Sequence, residues 1–252
     1  QAAAAQADIV VFSELSLCAY YPGDMLEEAA FQSRTSAGLA SLREASAALP
    51  QLHWVVGAPT RTQGPGKRLH NSLLVLRAGE VRLQYAKQLL PTYNIFDERR
   101  HFEPGPDVAK VLRIGETQVG FLICEDGWND DGGDYTTNPF MRMADAAPEV
   151  VVSINASPSN MGKRAQRHQV FADAARRHDL TILYVNQIGG HDQIVYDGAS
   201  FAVEPERGVV FEANRFVEDI RTLQLREGHF SLIDKKPLTS VPKEGLPTMS
   251  FY

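Results

Sequence analysis

The chain is poor in several things, and each shortage excludes something. Its 252 residues include only two cysteines, Cys18 and Cys124. No disulfide framework is therefore expected, and a reducing, cytoplasmic setting is the default. No apolar run approaches the roughly 20 residues needed to cross a bilayer. The opening QAAAAQAD has neither the basic start nor the apolar core of a secretory signal. Positive charge is the minority: 25 Lys plus Arg against 31 Asp plus Glu leaves a net charge of −6. The basic residues occur in short clusters such as Arg99–Arg100 and Arg176–Arg177, which argues against nucleic acid and anionic membrane as partners. The seven histidines show no metal-ligand spacing, and His168 with His178 read as a solvated helix pair, so no metal is expected. No G-x-G-x-x-G or Walker pattern occurs. The Gly189–Gly190 pair in QIGGHDQ reads as a turn between strands.

What remains is ordinary globular composition. Hydrophobic residues make up 44% and charged residues 22%, enough apolar side chain to exclude a disordered chain. The length suits one large α/β domain as well as two smaller ones. Such a chain buries roughly 70–75% of its unfolded surface and needs no disulfide or metal to hold it together.

Short β-rich runs alternate with helical patterns. Strands are expected at Asp8–Phe12, His53–Ala58, Asn71–Leu76, Val81–Tyr85, Thr117–Ile123, Val150–Asn155, Thr181–Asn186, Ala199–Val203 and Thr222–Leu225. Several are apolar throughout, as strands buried on both faces must be. A hairpin turn is expected at Ala78–Gly79–Glu80. Helices are expected at Pro22–Gln32, Ser36–Ala47, Asn138–Ala146 and Lys163–Arg177. Val170, Phe171, Ala174 and Ala175 share one face of the last. Two antiparallel, hairpin-like sheets covered by helices fit this order, an α+β or four-layer sandwich class. QAAAAQ reads as the tail of a helix and VPKEGLPTMSFY as a linker. Both ends therefore look cut from a longer polypeptide.

Three apolar strands run straight into a reactive side chain: VVFSEL into Glu14, YAK into Lys87, and FLICED into Cys124. Strand ends are where a rigid sheet presents functional groups. A thiol, a carboxylate and an ammonium together can cleave an amide, as nucleophile, proton carrier and oxyanion partner. Taken singly, each is more often a boundary carboxylate, an edge lysine or a buried small hydrophobe. Glu125 and Asp126 sit poorly beside a thiolate unless a cation compensates. A nearby Lys87 would supply that charge and lower the thiol pKa. Cys18 has no such setting and reads as structural.

These segments resemble the nitrilase (carbon–nitrogen hydrolase) superfamily, whose Glu–Lys–Cys triad falls on Glu14, Lys87 and Cys124. Within it they are similar to the N-terminal glutaminase domains of glutamine-dependent NAD+ synthetases. LCAYYPGDML, KQLLPTYNIFDERRHFEPG, ICEDGW, SINASPSNMGKRAQR, VNQIGGHDQIVYDGASF and EGLPTMSFY carry the likeness, which covers nearly the whole chain. Two positions depart from it: Ser13 stands where a Pro is usual and Ala19 where a Gly is usual, which bears on loop geometry more than on chemistry.

The resemblance implies a nitrilase-like α-β-β-α four-layer sandwich with its first strand absent here. It implies a carbon–nitrogen hydrolase domain over residues 1–240 and, over 241–252, the start of a linker to an absent synthetase domain. It implies that Glu14 is the general base, Cys124 the nucleophile through a γ-glutamyl thioester, and Lys87 with a nearby backbone N–H the oxyanion partner. Tyr93, Ser157 and Lys163 fall where the family contacts L-glutamine. Glu125 suits the substrate α-ammonium, and Tyr20 and Trp128 suit the pocket wall or, equally, core packing. Glu98 matches a carboxylate that orients the lysine; a favourable charge at a helix start is its plainer reading. No cofactor is implied for glutamine hydrolysis, while ATP and Mg2+ belong to the absent domain. That domain and a second copy of the chain, as a homo-oligomer, are the implied partners. Two further readings are a free-standing amidase on another ω-amide or carbamoyl compound, and a non-catalytic scaffold.

Overall fold

In the computed structural model of the protein, residues 1–233 are described. The linker at 241–252, the boundary at 240 and the EGLPTMSFY stretch lie outside them.

The elements run β1 (Ile9–Val11), α1 (Ala29–Ala47), β2 (His53–Arg61), β3 (Leu69–Arg77), β4 (Glu80–Ala86), β5 (Val111–Ile114), β6 (Thr117–Ile123), α2 (Pro139–Ala146) and β7 (Val150–Asn155). They continue with α3 (Lys163–His178), β8 (Ile182–Asn186), β9 (Ile188–His191), β10 (Ile194–Asp197), β11 (Phe201–Glu204), β12 (Gly208–Glu212), β13 (Leu223–Arg226) and β14 (His229–Leu232). Ahead of β1, Ala7 N–H bonds Ala2 C=O and Gln6 N–H bonds Ala3 C=O, with Gln6 at φ 55°. That pair of bonds is the usual ending of a helix.

Two sheets organise the molecule, ordered β1-β2-β3-β4 and β12-β11-β8-β7-β6-β5. Both are mixed, which corrects the expectation of antiparallel sheets. β1 pairs with β2 in parallel across the α1 crossover, and β6, β7 and β8 are mutually parallel. The parallel strands are the most apolar ones, VVVSIN and TQVGFLI, because they are covered on both faces. β3 and β4 meet at Ala78–Gly79, both at positive φ, which matches a two-residue hairpin turn to the strand twist.

The sheets face each other, with α1 outside the four-stranded sheet and α2 and α3 outside the six-stranded one. The shared core contains Val55, Leu73, Val75 and Tyr85 from one sheet and Phe121, Ile123, Val152 and Ile154 from the other. Each such side chain contributes about 1.5–3 kcal/mol by leaving water.

Other expectations shift. The two helices drawn at Pro22–Gln32 and Ser36–Ala47 are one, α1, preceded by a short 3-10 turn at Gly23–Glu27. Gly189 and Gly190 lie within β9, which pairs with β10 as a separate ribbon, and do not form a turn. His168 and His178 are half-buried and each meets a carboxylate: His168 Nε2 lies 2.6 Å from Glu212 and His178 Nε2 lies 2.5 Å from Asp130.

Candidate active site

Glu14, Lys87 and Cys124 stand at strand ends on the two facing sheets. Glu14 follows β1 by three residues and is fully buried. Its loop lies so close to β2 that a Cβ on Gly57 would come within 2.3 Å of Leu15 N. Lys87 follows β4 directly and is 1% exposed. Its backbone is clamped on both sides, donating to Asn71 C=O at 2.8 Å and accepting from Gly105 N–H at 2.7 Å. Cys124 opens a 3-10 turn immediately after β6, at φ 42°. β6 and β7 run parallel with Ile123 opposite Ile154, so Cys124 and the Asn155–Ala156 step follow neighbouring strands out of the sheet. Ala156 N–H in turn donates to Glu14 Oε2 at 3.0 Å.

Lys87 Nζ donates to Glu14 Oε1 at 2.7 Å and to Glu98 Oε1 at 2.6 Å. An ammonium has three hydrogens, so one is left over. Glu98 does open a short 3-10 turn, Glu98–Arg100, but it is buried and tied to Lys87, and it also accepts from Tyr20 Oη at 2.7 Å. Tyr20 is 2% exposed, with its ring among Tyr21, Phe96 and Tyr196 and 6.0 Å from Lys87 Nζ.

Burial by itself would weaken the Lys87 ammonium, but Glu14 and Glu98 outweigh it and hold its pKa well above the ordinary lysine value. Burial and the neighbouring Glu14 charge push the Glu98 carboxyl up, against the pull of Lys87. The Cys124 thiol is raised well above its usual value, first by burial and then by Glu14; Lys87 pulls it down but does not win. Lys87 thus acts on the thiol in the expected direction, but burial and Glu14 outweigh it. Glu14, the buried carboxylate beside it, is the group placed to take the thiol proton.

Around the thiol lie further charges. Glu125 is buried and accepts from Tyr93 Oη, 3.0 Å from each oxygen, and from Tyr135 Oη at 2.9 Å. Lys163 opens α3 with Nζ 3.6 Å from the centre of the Trp128 ring, and burial lowers its pKa. Trp128 itself rests edge-on against Phe171. Ser157 is buried, its N–H donating to Asn186 Oδ1 at 2.9 Å. The structure thus gathers Glu14, Lys87 and Glu98 into one hydrogen-bonded group and Tyr93 with Glu125 into another, with Lys163 on Trp128.

Sequence reasoning passed over several members. Asn71 Nδ2 donates to Glu14 Oε1 at 2.7 Å and lies 3.4 Å from Glu98 Oε2. Asp126 accepts from Gln88 N–H, Leu89 N–H, Tyr85 Oη and Ile123 N–H, and so ties the segment after β4 to the turn after β6. Burial raises the Asp126 pKa to about 6. The one available signal for Asn71 was an amide just before the apolar run Leu73–Leu76 of the strand LHNSLLVLR. Among the described residues no group of three or more His, Cys, Asp or Glu is placed to hold a metal, and no helix is long and apolar enough to cross a membrane.

Known proteins resemble this chain in sequence and fold. Residues 1–228 match the carbon-nitrogen hydrolase family model. A glutamine-dependent NAD(+) synthetase from Synechocystis sp. is 34% identical over 251 residues, 96% of this chain and 44% of its own length. That from Xanthomonas campestris is 36% identical over 214 residues, 84% of this chain and 36% of its own. The solved glutamine-dependent NAD+ synthetase of Acinetobacter baumannii, in complex with ADP, superposes with a TM-score of 0.82 at 28% identity, over 95% of this chain and 43% of that one. A nitrilase-superfamily amidase from Nesterenkonia shares the fold, with a TM-score of 0.71 at 21% identity, over 84% of this chain and 76% of that one. The chain spans less than half the length of these curated relatives. The four-layer sandwich and the family match through residue 228 agree, and the chain belongs to the carbon–nitrogen hydrolase family.

Proposed function

We propose that this chain hydrolyses the side-chain amide of L-glutamine, releasing ammonia to amidate deamido-NAD at an ATP-dependent synthetase unit of the protein it belongs to. The carrying observation is the Lys87 ammonium held at 2.7 and 2.6 Å between two buried carboxylates, beside the strand that ends in Cys124. The names of the relatives over nearly the full length of this chain support the choice of amide.

Glu14 takes the thiol proton as Cys124 Sγ bonds to the amide carbon. The third Lys87 hydrogen and the Glu125 N–H hold the oxyanion, each donor worth roughly 3–4 kcal/mol. Glu14 returns the proton to nitrogen, which leaves as ammonia, and a thioester remains. Water then attacks the thioester carbon and gives a proton to Glu14, which passes it to the departing sulfur as glutamate is released. Glu125, supported by Tyr93, receives the substrate α-ammonium, and Lys163 lies across the nucleophile turn for the α-carboxylate. Ser157 and Trp128 line the same pocket. The hydrolysis uses no cofactor; ATP and Mg2+ act at the synthetase unit, and a homo-oligomer is the working assembly.

The test is glutamate release by the full-length protein and its Cys124→Ala and Cys124→Ser variants. Both variants are expected to fall at least a thousandfold with an unchanged circular dichroism spectrum. Ready turnover by either refutes the nucleophile. Preference of the unaltered protein for another ω-amide over glutamine refutes the substrate.

A further inference from the structure

The loop between the nucleophile turn and α2 is built around one side chain. Asn129, fully buried, donates through Nδ2 to Tyr135 C=O at 2.8 Å and Thr137 C=O at 2.7 Å. Its Oδ1 accepts from Asp134 N–H at 3.0 Å and Tyr135 N–H at 3.1 Å. Both backbone groups of Tyr135 are thus held by a single amide five positions after Cys124. The neighbouring Asp130 anchors the loop from outside, meeting Arg177 and His178 from the last turn of α3 and receiving Asn138 Nδ2 on its carbonyl at 3.2 Å. So much fixed geometry converges on one outcome: the Tyr135 hydroxyl is set 2.9 Å from Glu125 Oε1.

Glu125 is the reason this matters. It is a buried carboxylate with no cation within salt-bridge distance among the described residues, held only by two neutral phenols. A desolvated charge without a counter-ion is costly unless hydrogen-bonded. Two phenols satisfy part of that demand and fix the direction of the remaining lone pairs. An arriving ammonium then completes the site.

We propose that Tyr135 is a specificity-determining positioning residue, which orients Glu125 so that the site selects amides carrying an ammonium group over those without one. This rests on the glutaminase reading and adds the device that enforces it. Tyr135 acts through Glu125, so its effect follows the substrate's charge. Losing one hydrogen bond to a charged group changes a binding constant by about tenfold.

The experiment measures ammonia release by the full-length protein from L-glutamine and from glutaramate, the same amide lacking the α-amino group. Tyr135→Phe is expected to raise KM for L-glutamine about tenfold, with the loss in KM and not kcat, and to shift glutaramate much less. The preference between the two amides then falls about tenfold. Asn129→Ala, which frees the Tyr135 backbone, is expected to move the ratio in the same direction. Equal losses on both amides in Tyr135→Phe reduce Tyr135 to a structural tyrosine and overturn the inference while leaving the glutaminase reading intact. An unaltered protein that hydrolyses neither amide overturns both.

Discussion

Asn71 Nδ2 lies 2.7 Å from Glu14 Oε1 and 3.4 Å from Glu98 Oε2, so one neutral amide serves both carboxylates that grip Lys87. A lysine between two acids leaves an excess negative charge in a dry place, and among the described residues the amide is the only further side chain that reaches both. Asn71→Ala is expected to lower kcat for amide hydrolysis about 10- to 100-fold, since displacements of about 1 Å at a reacting centre are enough for that. Unfolding is expected to become easier by about 1–3 kcal/mol. Urea denaturation and steady-state kinetics measure the two separately. An unchanged kcat would reduce Asn71 to a stability role.

Gly57 holds the Glu14 loop by having no side chain. Gly57→Ala places a methyl 2.3 Å from Leu15 N and 2.8 Å from Ser13 O, both backbone atoms that cannot swing aside. The expected result is an activity loss larger than any loss of stability would explain, because the loop moves Glu14 as it yields. Glutamate release compared with melting temperature reads this directly.

Burial and the Glu14 charge raise the Glu98 pKa from 4.5 to about 7. A carboxyl raised on folding binds its proton more tightly in the folded state. Stability is therefore fully present below the unfolded pKa and is lost as pH rises from about 4.5 through about 7. The slope from one such group cannot exceed about 1.4 kcal/mol per pH unit. Glu98→Gln is expected to flatten that slope and to leave the lower window set by Asp126, raised from 3.8 to about 6. Unfolding free energies across pH 4–8 for both proteins give the comparison; parallel curves would contradict it.

Ala19 sits at φ 64°, a left-handed conformation that an alanine adopts at a cost and a glycine does not. Ala19→Gly is expected to stabilise the folded state by about 0.5–1 kcal/mol, a rise of a few degrees in melting temperature, with activity retained. A lower melting temperature would mean that the loop does not hold this conformation in solution.

Much of this centre was legible because its parts lie at sequence discontinuities. An apolar strand that stops at Glu14, Lys87 or Cys124 announces both a buried element and a group at its rim. Asn71 was missed because it lies inside a strand, where one polar residue looks like a boundary; its role appears only when β3 is set beside β1 and β4. Spacing reveals which charges are near the thiol but not how much water they have lost, so the upward push of burial on Cys124 was not legible. Five strands went unseen: β5, β9, β10, β12 and β14 are four or five residues long and partly polar. α1 was split because Ser33–Arg34–Thr35 resembles a break, yet these residues only form part of the weakly buried surface of a continuous helix.

Glu14 and Lys87 hang from the four-stranded sheet and Cys124 from the six-stranded one, with Asp126 fastening one to the other. Neither layer owns a reaction centre. A collapsed chain with every strand and helix formed but the layers still sliding past each other would be chemically silent. Turnover should therefore appear late in refolding and vanish early in denaturation, ahead of any change in helix or strand content, which makes the reaction itself a gauge of how the halves are seated.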